Sequence, residues 1–216
     1  MIHIIGDSHG RVFHQLAETS NIRFSFPEEH VWCAHNLVKP ERMRLSEVNL
    51  NEVQSRDHVI LSFGEIDCRL HLLYQCMTQG RSLGELVDET VARYGQIMAL
   101  LRGRGVDFAV LNIPPAPNFQ SGNVFFSNPR YPRDDKTRIN IYTVFHDALN
   151  AYCAANGFKI IDLWPAVLGP DGFATPEYKH EGELYGSHLG QHTVPLLEEE
   201  LRRLWPSACT PTQYGE

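Results

Sequence analysis

Four short apolar runs, separated by longer segments with helical spacing of apolar residues, constrain the fold of this chain more than any other feature. The runs lie at residues 2–5, 59–64, 106–113 and 158–163, and the helical spacing covers residues 12–17, 86–101, 139–152 and 194–205. The run at 59–64 is apolar and β-branched without polar alternation, which is typical of a strand buried on both faces of a parallel sheet. Strands that alternate with helices predict an α/β fold, a three-layer α/β/α sandwich with a central parallel sheet, in a single domain over residues 1–216.

Local signals define where these helices begin and end. Ser82 and Glu85 have the spacing of a capping box, and Asp134 or Asp135 opens the next helix, which Gly157 closes. Residues 22–26 are predicted as a second strand or part of a loop, and residues 39–57 are expected to hold a short helix. Residues 114–135 are rich in Pro, Asn and aromatic residues, and within them residues 119–131 are interpreted as a substrate lid or an ordinary covering loop.

Composition excludes several classes of protein. The formal net charge is −7 and no Lys/Arg cluster is present, which argues against a nucleic-acid partner. No apolar run approaches the length of a membrane span, and no basic segment precedes a signal-peptide-like apolar stretch. The five cysteines are scattered without a C-x-x-C pair. We therefore expect reduced thiols in a cytoplasmic protein without a resident metal or cofactor.

The turn after the first strand, Gly6-Asp7-Ser8-His9-Gly10, is the clearest candidate for chemistry. Ser8 is expected at the carboxyl end of a strand and the amino end of a helix, the edge where open parallel sheets bind ligands. Backbone N–H groups and a helix dipole can hold an anion there. Ser8 is therefore a candidate nucleophile with its own N–H directed at a developing oxyanion. The alternative is that Ser8 only caps the helix.

Two further polar clusters are predicted at the same edge. Glu65, Asp67 and Arg69 follow the strand at 59–64, where Asp67 and Arg69 are either part of the site or a structural ion pair. His188 is the candidate base among the eleven histidines, because it lies in a glycine-flanked turn just before the last helix. His9 is close enough to Ser8 to line the pocket, although it is otherwise expected to be solvated.

In order and spacing, these blocks resemble the SGNH hydrolases, a branch of the GDSL esterase family. Gly6-Asp7-Ser8 matches the first family block, Gly64-Glu65-Ile66-Asp67 has the frame of the third, and His188-Leu189-Gly190 matches the last. The resemblance implies a flavodoxin-like SGNH fold. It also implies a serine esterase or deacylase that acts through an acyl-Ser8 intermediate with His188 as the base. A small-molecule or carbohydrate ester is the implied substrate, with O-acetyl groups on a sugar as one example.

Two departures from the family blocks concern the oxyanion hole. No glycine lies between Gly10 and Gly64, so a residue of the 33–36 segment is expected to replace the family's second-block glycine. Ile66 occupies the position of the customary asparagine, and the guanidinium of Arg69 or the backbone around Gly64 is expected to take its role. The candidates in the 33–36 segment are Cys33, Ala34 and Asn36.

The third departure concerns the acid that would orient His188. The family carries an aspartate three residues before the histidine, where this chain has Tyr185. We favour Glu183, which is nearest in sequence and carries the right charge. Glu181, Asp67 and a Ser8–His188 dyad oriented by a backbone carbonyl remain open.

Parts of the sequence are also compatible with two functions other than an esterase. The missing donors and acid are also typical of a degenerate SGNH domain that binds a glycan or a protein without catalysis. A metallophosphoesterase would use Asp7 and His9 as metal ligands. That class needs further Gly-Asp-x-x-Asp-Arg-Gly and Gly-Asn-His blocks, which the sequence lacks, and one ligand pair cannot build a two-metal site.

Overall fold

A five-stranded sheet, parallel throughout, forms the centre of the protein. The computed structural model describes residues 1–20, 22–25, 33–37, 53–54, 56–118, 128, 130–178 and 188–209. The strands are β1 (Ile2–Gly6), β2 (Phe24–Ser25), β3 (His58–Ser62), β4 (Asp107–Leu111) and β5 (Lys159–Ile161), in the order β2-β1-β3-β4-β5. The predicted α/β fold with a central parallel sheet is confirmed.

Helices cover both faces of the sheet. They are α1 (Val12–Thr19), α2 (Leu72–Gln79), α3 (Leu83–Gly103), α4 (Asp135–Asn156), α5 (Trp164–Val167) and α6 (Val194–Leu204). Successive strand residues point to opposite faces, so Val59 and Leu61 pack with α3 and α4, whereas Ile60 packs with α1 and α6. Both faces of β3 are buried in this way, which explains why its sequence lacks polar alternation.

The predicted helix signals are present in the structure. Ser82 and Glu85 form a capping box, in which each side chain bonds the backbone N–H of the other. Asp134 caps α4 by accepting a hydrogen bond of 2.8 Å from the N–H of Thr137, and Gly157 ends that helix in the left-handed conformation. The π-helix Asp67–His71 and the α2 helix that follows it were not predicted.

Several expectations concern residues outside the described ranges. Outside the described ranges lie most of residues 39–57, where a short helix is expected, and most of the candidate lid at 119–131. All five cysteines are described, and none forms a disulfide. None of the helices in the described part of the chain is long and apolar enough to cross a membrane.

The carboxyl end of β1 lies against the carboxyl end of β3 at very short range. A Cβ atom added to Gly6 would lie 2.2 Å from the carbonyl oxygen of Ser62, so only glycine fits there. The next residue, Asp7, donates its N–H to that same oxygen at 2.8 Å. The turn that begins at Asp7 is therefore fixed beside the residues that follow β3.

A buried histidine connects α4 to the end of β5. His146 Nε2 lies 3.0 Å from Asp162 Oδ2, its Nδ1 lies 2.9 Å from Asp147 Oδ1, and its ring stacks on Trp164 with centroids 4.0 Å apart. Burial acts to lower the pKa of His146, but the carboxylates of Asp162 and Asp147 outweigh it and raise that pKa above its ordinary value. The two carboxylates therefore favour the imidazolium form of His146, which joins α4 to the end of β5.

We expect His146→Gln to lower the free energy of unfolding by about 1–3 kcal/mol at pH 5, because it removes a buried charge-assisted hydrogen bond. The raised pKa makes this contribution complete below the unfolded value of about 6.5, and it is lost as pH rises through the folded value. Urea titrations at pH 5 and pH 9 measure the effect. The matched control, His192→Gln, changes an exposed histidine and should cost little at either pH. An equal loss for His146→Gln at both pH values would contradict the assignment.

Candidate active site

Ser8 and His188 meet at the carboxyl edge of the sheet, although 180 residues separate them in sequence. The Nε2 atom of His188 lies 2.8 Å from Ser8 Oγ, which is within hydrogen-bond distance. Ser8 begins a 3₁₀ turn between β1 and α1, and His188 lies just before the turn that leads into α6. Helices α1 and α6 share one core cluster, so their packing brings the two side chains together.

Ser8 is not the cap of its own turn. The residue at the cap position is Asp7, whose Oδ1 accepts a hydrogen bond of 2.9 Å from the N–H of His9. The interpretation of Ser8 as only a helix cap is therefore wrong. Its hydroxyl instead contacts the imidazole of His188.

His9 is buried beneath this pair, with only 3% of its surface exposed. Its Nδ1 lies 3.2 Å from Asp7 Oδ1, and its ring centroid is 4.7 Å from that of His188 at an angle of 52°. The expectation that His9 is solvated is wrong. His9 lines a small cavity with Asp7 and Glu65, and its place in a substrate pocket around Ser8 stays a prediction. Sequence position alone could not distinguish a solvated His9 from a buried one, because burial depends on how the turn packs.

Glu65 follows β3 and is the centre of a buried polar network. Its Oε1 accepts a hydrogen bond of 2.7 Å from the Tyr142 hydroxyl, and its Oε2 lies 3.1 Å from Arg69 Nη2 and 3.7 Å from His9 Nδ1. Burial acts to raise the pKa of Glu65, but the charges of Arg69 and His9 and the hydrogen bond from Tyr142 lower it overall. In turn, burial acts to lower the pKa of His9, and Glu65 and Asp7 raise it above its ordinary value.

Asp67 holds the short 33–37 segment in place. Its Oδ2 accepts a hydrogen bond of 2.6 Å from the N–H of Ala34, and its Oδ1 accepts one of 3.3 Å from the N–H of His35. The alternative that Asp67 and Arg69 form an ion pair is wrong, because Arg69 pairs with Glu65. Burial raises the pKa of Asp67 to about 7, although the two N–H groups oppose it.

These contacts bear on the candidate oxyanion donors. A backbone N–H donates one strong hydrogen bond, so its bond to Asp67 argues against Ala34 as a donor. The Nδ2 atom of Asn36 lies 3.0 Å from Cys33 Sγ.

Gly64 has a φ of +118°, and a Cβ there would lie 2.6 Å from the ring of Phe145. The glycine is thus required by the turn that directs Glu65 inward.

Solved structures with the same architecture identify the fold. A GDSL-like lipase from Bacteroides thetaiotaomicron superposes with a TM-score of 0.62 at 15% identity, over 94% of this chain and 85% of the other. The lipase/acylhydrolase from Enterococcus faecalis gives 0.54 at 16% identity, over 98% of both chains. An acetyl xylan esterase gives 0.52 at 13% identity, over 94% of this chain and 98% of the other.

This chain has the SGNH hydrolase fold. No family model and no curated protein sequence matches it. Within the SGNH fold, the first and last blocks recognised in the sequence lie where Ser8 meets His188, and the third follows β3.

Two side chains that sequence reasoning did not select lie at this edge of the SGNH fold. Asn112 follows β4 and lines a pocket with Asp7, His9 and Glu65, while its amide bonds the carbonyl of His146. An asparagine directly after an apolar run is a signal that could have identified it. Tyr142 was expected on the apolar face of α4, and nothing in the sequence indicates that its hydroxyl reaches Glu65.

The candidate acids in the loop before His188 lie outside the described residues. Glu181 and Glu183 belong to this group, so the role of either one as the acid that orients His188 stays a prediction. Among the described residues, no group of three or more His, Cys, Asp or Glu side chains is arranged to hold a metal ion.

The buried position of Asp67 predicts an unusual dependence of stability on pH. Its pKa rises from about 3.8 in the unfolded chain to about 7, so its contribution is complete below pH 4 and is lost as pH rises towards 7. We expect the stability advantage of the native protein over Asp67→Asn to be larger at pH 4.5 than at pH 8, by on the order of 2 kcal/mol. Urea unfolding at both pH values measures this difference. A constant or reversed difference would contradict the raised pKa.

Proposed function

We propose that this protein is a serine-dependent ester hydrolase, an esterase or deacylase that forms an acyl-Ser8 intermediate. The observation that carries the proposal is the contact of 2.8 Å between His188 Nε2 and Ser8 Oγ at the ligand-binding edge of an SGNH fold. Nucleophile and base within hydrogen-bond distance are the first requirement for acyl transfer through serine.

The reaction follows from this geometry. Ser8 Oγ attacks the ester carbonyl carbon while His188 Nε2 accepts the hydroxyl proton. The tetrahedral intermediate then breaks its bond to the alcohol, which leaves with the proton from His188. Water attacks the acyl-enzyme with His188 again as the base, and the carboxylic acid is released as Ser8 recovers its proton.

The developing oxyanion needs donors close to Ser8. The N–H of Ser8 is the first in its 3₁₀ turn, and the first N–H groups of a helical turn have no partner within it. We assign this N–H as one donor, with the Asn36 amide, the backbone around Gly64 and the Arg69 guanidinium as candidates for the second. Ala34 is not retained, because Asp67 accepts its N–H.

For the acid that orients His188 we retain Glu183, with Glu181 or a simple Ser8–His188 dyad as alternatives. Asp67 is the weakest of the earlier candidates, because both of its oxygens accept backbone N–H groups of the 33–37 segment. A small-molecule or carbohydrate ester is the proposed substrate. One structural neighbour is an acetyl xylan esterase, which supports O-acetyl sugars as the first compounds to test.

One observation favours a second function. Ile66 replaces the customary asparagine donor, and the N–H of Ala34 is already bonded to Asp67. A domain that has lost these donors could bind a glycan or a protein without catalysis. A metallophosphoesterase is less well supported, because Asp7 and His9 belong to no group of three or more candidate metal ligands among the described residues.

We expect a fluorophosphonate to label Ser8 in the folded protein, because His188 can accept the hydroxyl proton during attack. Mass spectrometry of a digest locates the label, and Ser8→Ala should abolish it. Hydrolysis of p-nitrophenyl acetate in EDTA should fall on the order of 10³-fold or more in His188→Ala, as for loss of a triad base.

His192→Ala is the matched control, since His192 is exposed and lies four residues beyond His188. Its rate should stay close to that of the native protein. Absence of label on Ser8 in the folded protein would support the binding domain instead. Activity that EDTA removes and manganese restores would support the phosphoesterase.

The acid is identified by comparing Glu183→Gln with Glu181→Gln, two isosteric changes in one loop that serve as controls for each other. Loss of the true acid should lower kcat by roughly 10²- to 10⁴-fold, because His188 would no longer be held in the correct tautomer. Steady-state kinetics on the same ester measure the effect, with circular dichroism as the check on folding. Near-native rates in both variants would replace the triad with a dyad.

A further inference from the structure

We propose that His9 is a positioning residue for His188, which it holds by ring contact and influences by its positive charge. The proposal rests on the assignment of His188 as the base of Ser8. It concerns a residue that follows the nucleophile directly, so one turn presents both side chains.

The contact between the two rings is direct. Their centroids lie 4.7 Å apart with the planes tilted by 52°, within the range of packed aromatic pairs. His9 is buried and is fixed to Asp7 through both its backbone N–H and its Nδ1. Because the His9 ring is itself held in place, it restricts the orientations available to the imidazole of His188.

The charges around His9 come from three parts of the fold. Asp7 precedes Ser8 in the turn after β1, and Glu65, which follows β3, lies 3.7 Å from His9 Nδ1. Arg69 of the π-helix pairs with Glu65 at 3.1 Å, and Tyr142 of α4 donates to the same carboxylate. Two buried carboxylates, Asp7 and Glu65, thus lie beside His9 and Arg69, and this arrangement favours the protonated form of His9.

A positive charge on His9 affects the proton affinity of His188. The base must be neutral to accept a proton from Ser8, and a neighbouring imidazolium disfavours a second positive charge. Glu65 acts in the opposite direction, since its carboxylate and His188 interact electrostatically. Removing the charge of His9 would leave Asp7 and Glu65 with one cation fewer to oppose them, so His188 should then hold its proton more tightly.

Two substitutions separate the ring of His9 from its charge. His9→Phe keeps an aromatic ring against His188 and loses the charge. His9→Asn loses the ring and the charge but keeps an amide that can donate to Asp7, which preserves folding if the Phe variant is unstable. We expect the pKa of His188 to rise by about 0.5 to 2 pH units in both variants, as estimated for the loss of a unit charge about 5 Å away.

The pKa of His188 is measured by NMR titration of isotopically labelled histidine, which needs no turnover. His192→Phe, which changes an exposed histidine, is the matched control and should leave the titration unchanged. A His188 pKa that stays the same or falls in the His9 variants would overturn the electrostatic role.

Hydrolysis of p-nitrophenyl acetate at pH 9, well above the ordinary pKa of a histidine, tests the ring contact. The kcat of His9→Phe should exceed that of His9→Asn by about tenfold or more, a size typical of a geometric effect on proton transfer. Equal kcat values would overturn the positioning role. Failure of the native protein to label at Ser8 would reject the hydrolase function, a result distinct from an unchanged His188 titration.

Discussion

The close approach of β1 to β3 at their carboxyl ends is the constraint on which the site depends. Gly6 lies against the carbonyl of Ser62, and the N–H of Asp7 bonds that carbonyl. No side chain other than hydrogen fits at Gly6, so the turn that carries Ser8 starts at a fixed point beside the residues that follow β3. The contact between His9 and Glu65, which joins the two segments, depends on this short distance.

Charge balance explains how so many ionisable groups can be buried at this point. Glu65 is buried with Arg69, His9 and the hydroxyl of Tyr142 as its partners, and Asp7 bonds His9. Removing one member of such a network leaves an uncompensated buried charge, which is far more costly than the pair itself is stabilising. Asp67 pairs with no cation among the described residues and accepts two backbone N–H groups, so burial dominates its pKa.

The chain also shows how an SGNH fold accommodates changes in its short motifs. The carboxylate of Asp67 fixes the 33–37 segment, where the family's second block is expected, through the N–H groups of Ala34 and His35. The same bonds occupy the N–H of Ala34. Ser8 and His188 stay in contact at this edge, and under the proposed function the oxyanion donors come from groups other than Ala34.

The sequence by itself determined how β1, β3, β4 and β5 alternate with α1, α3, α4 and α6, because apolar runs and caps such as Ser82–Glu85 are local signals. It also indicated that Ser8 and His188 share one edge, since the carboxyl ends of parallel strands lie together. Only the tertiary structure decided which side chains touch. The contacts of His9 with His188, Tyr142 with Glu65 and Asp67 with Ala34 join distant segments. Periodicity specifies the face on which a residue lies, whereas its partner depends on how helices pack against the sheet.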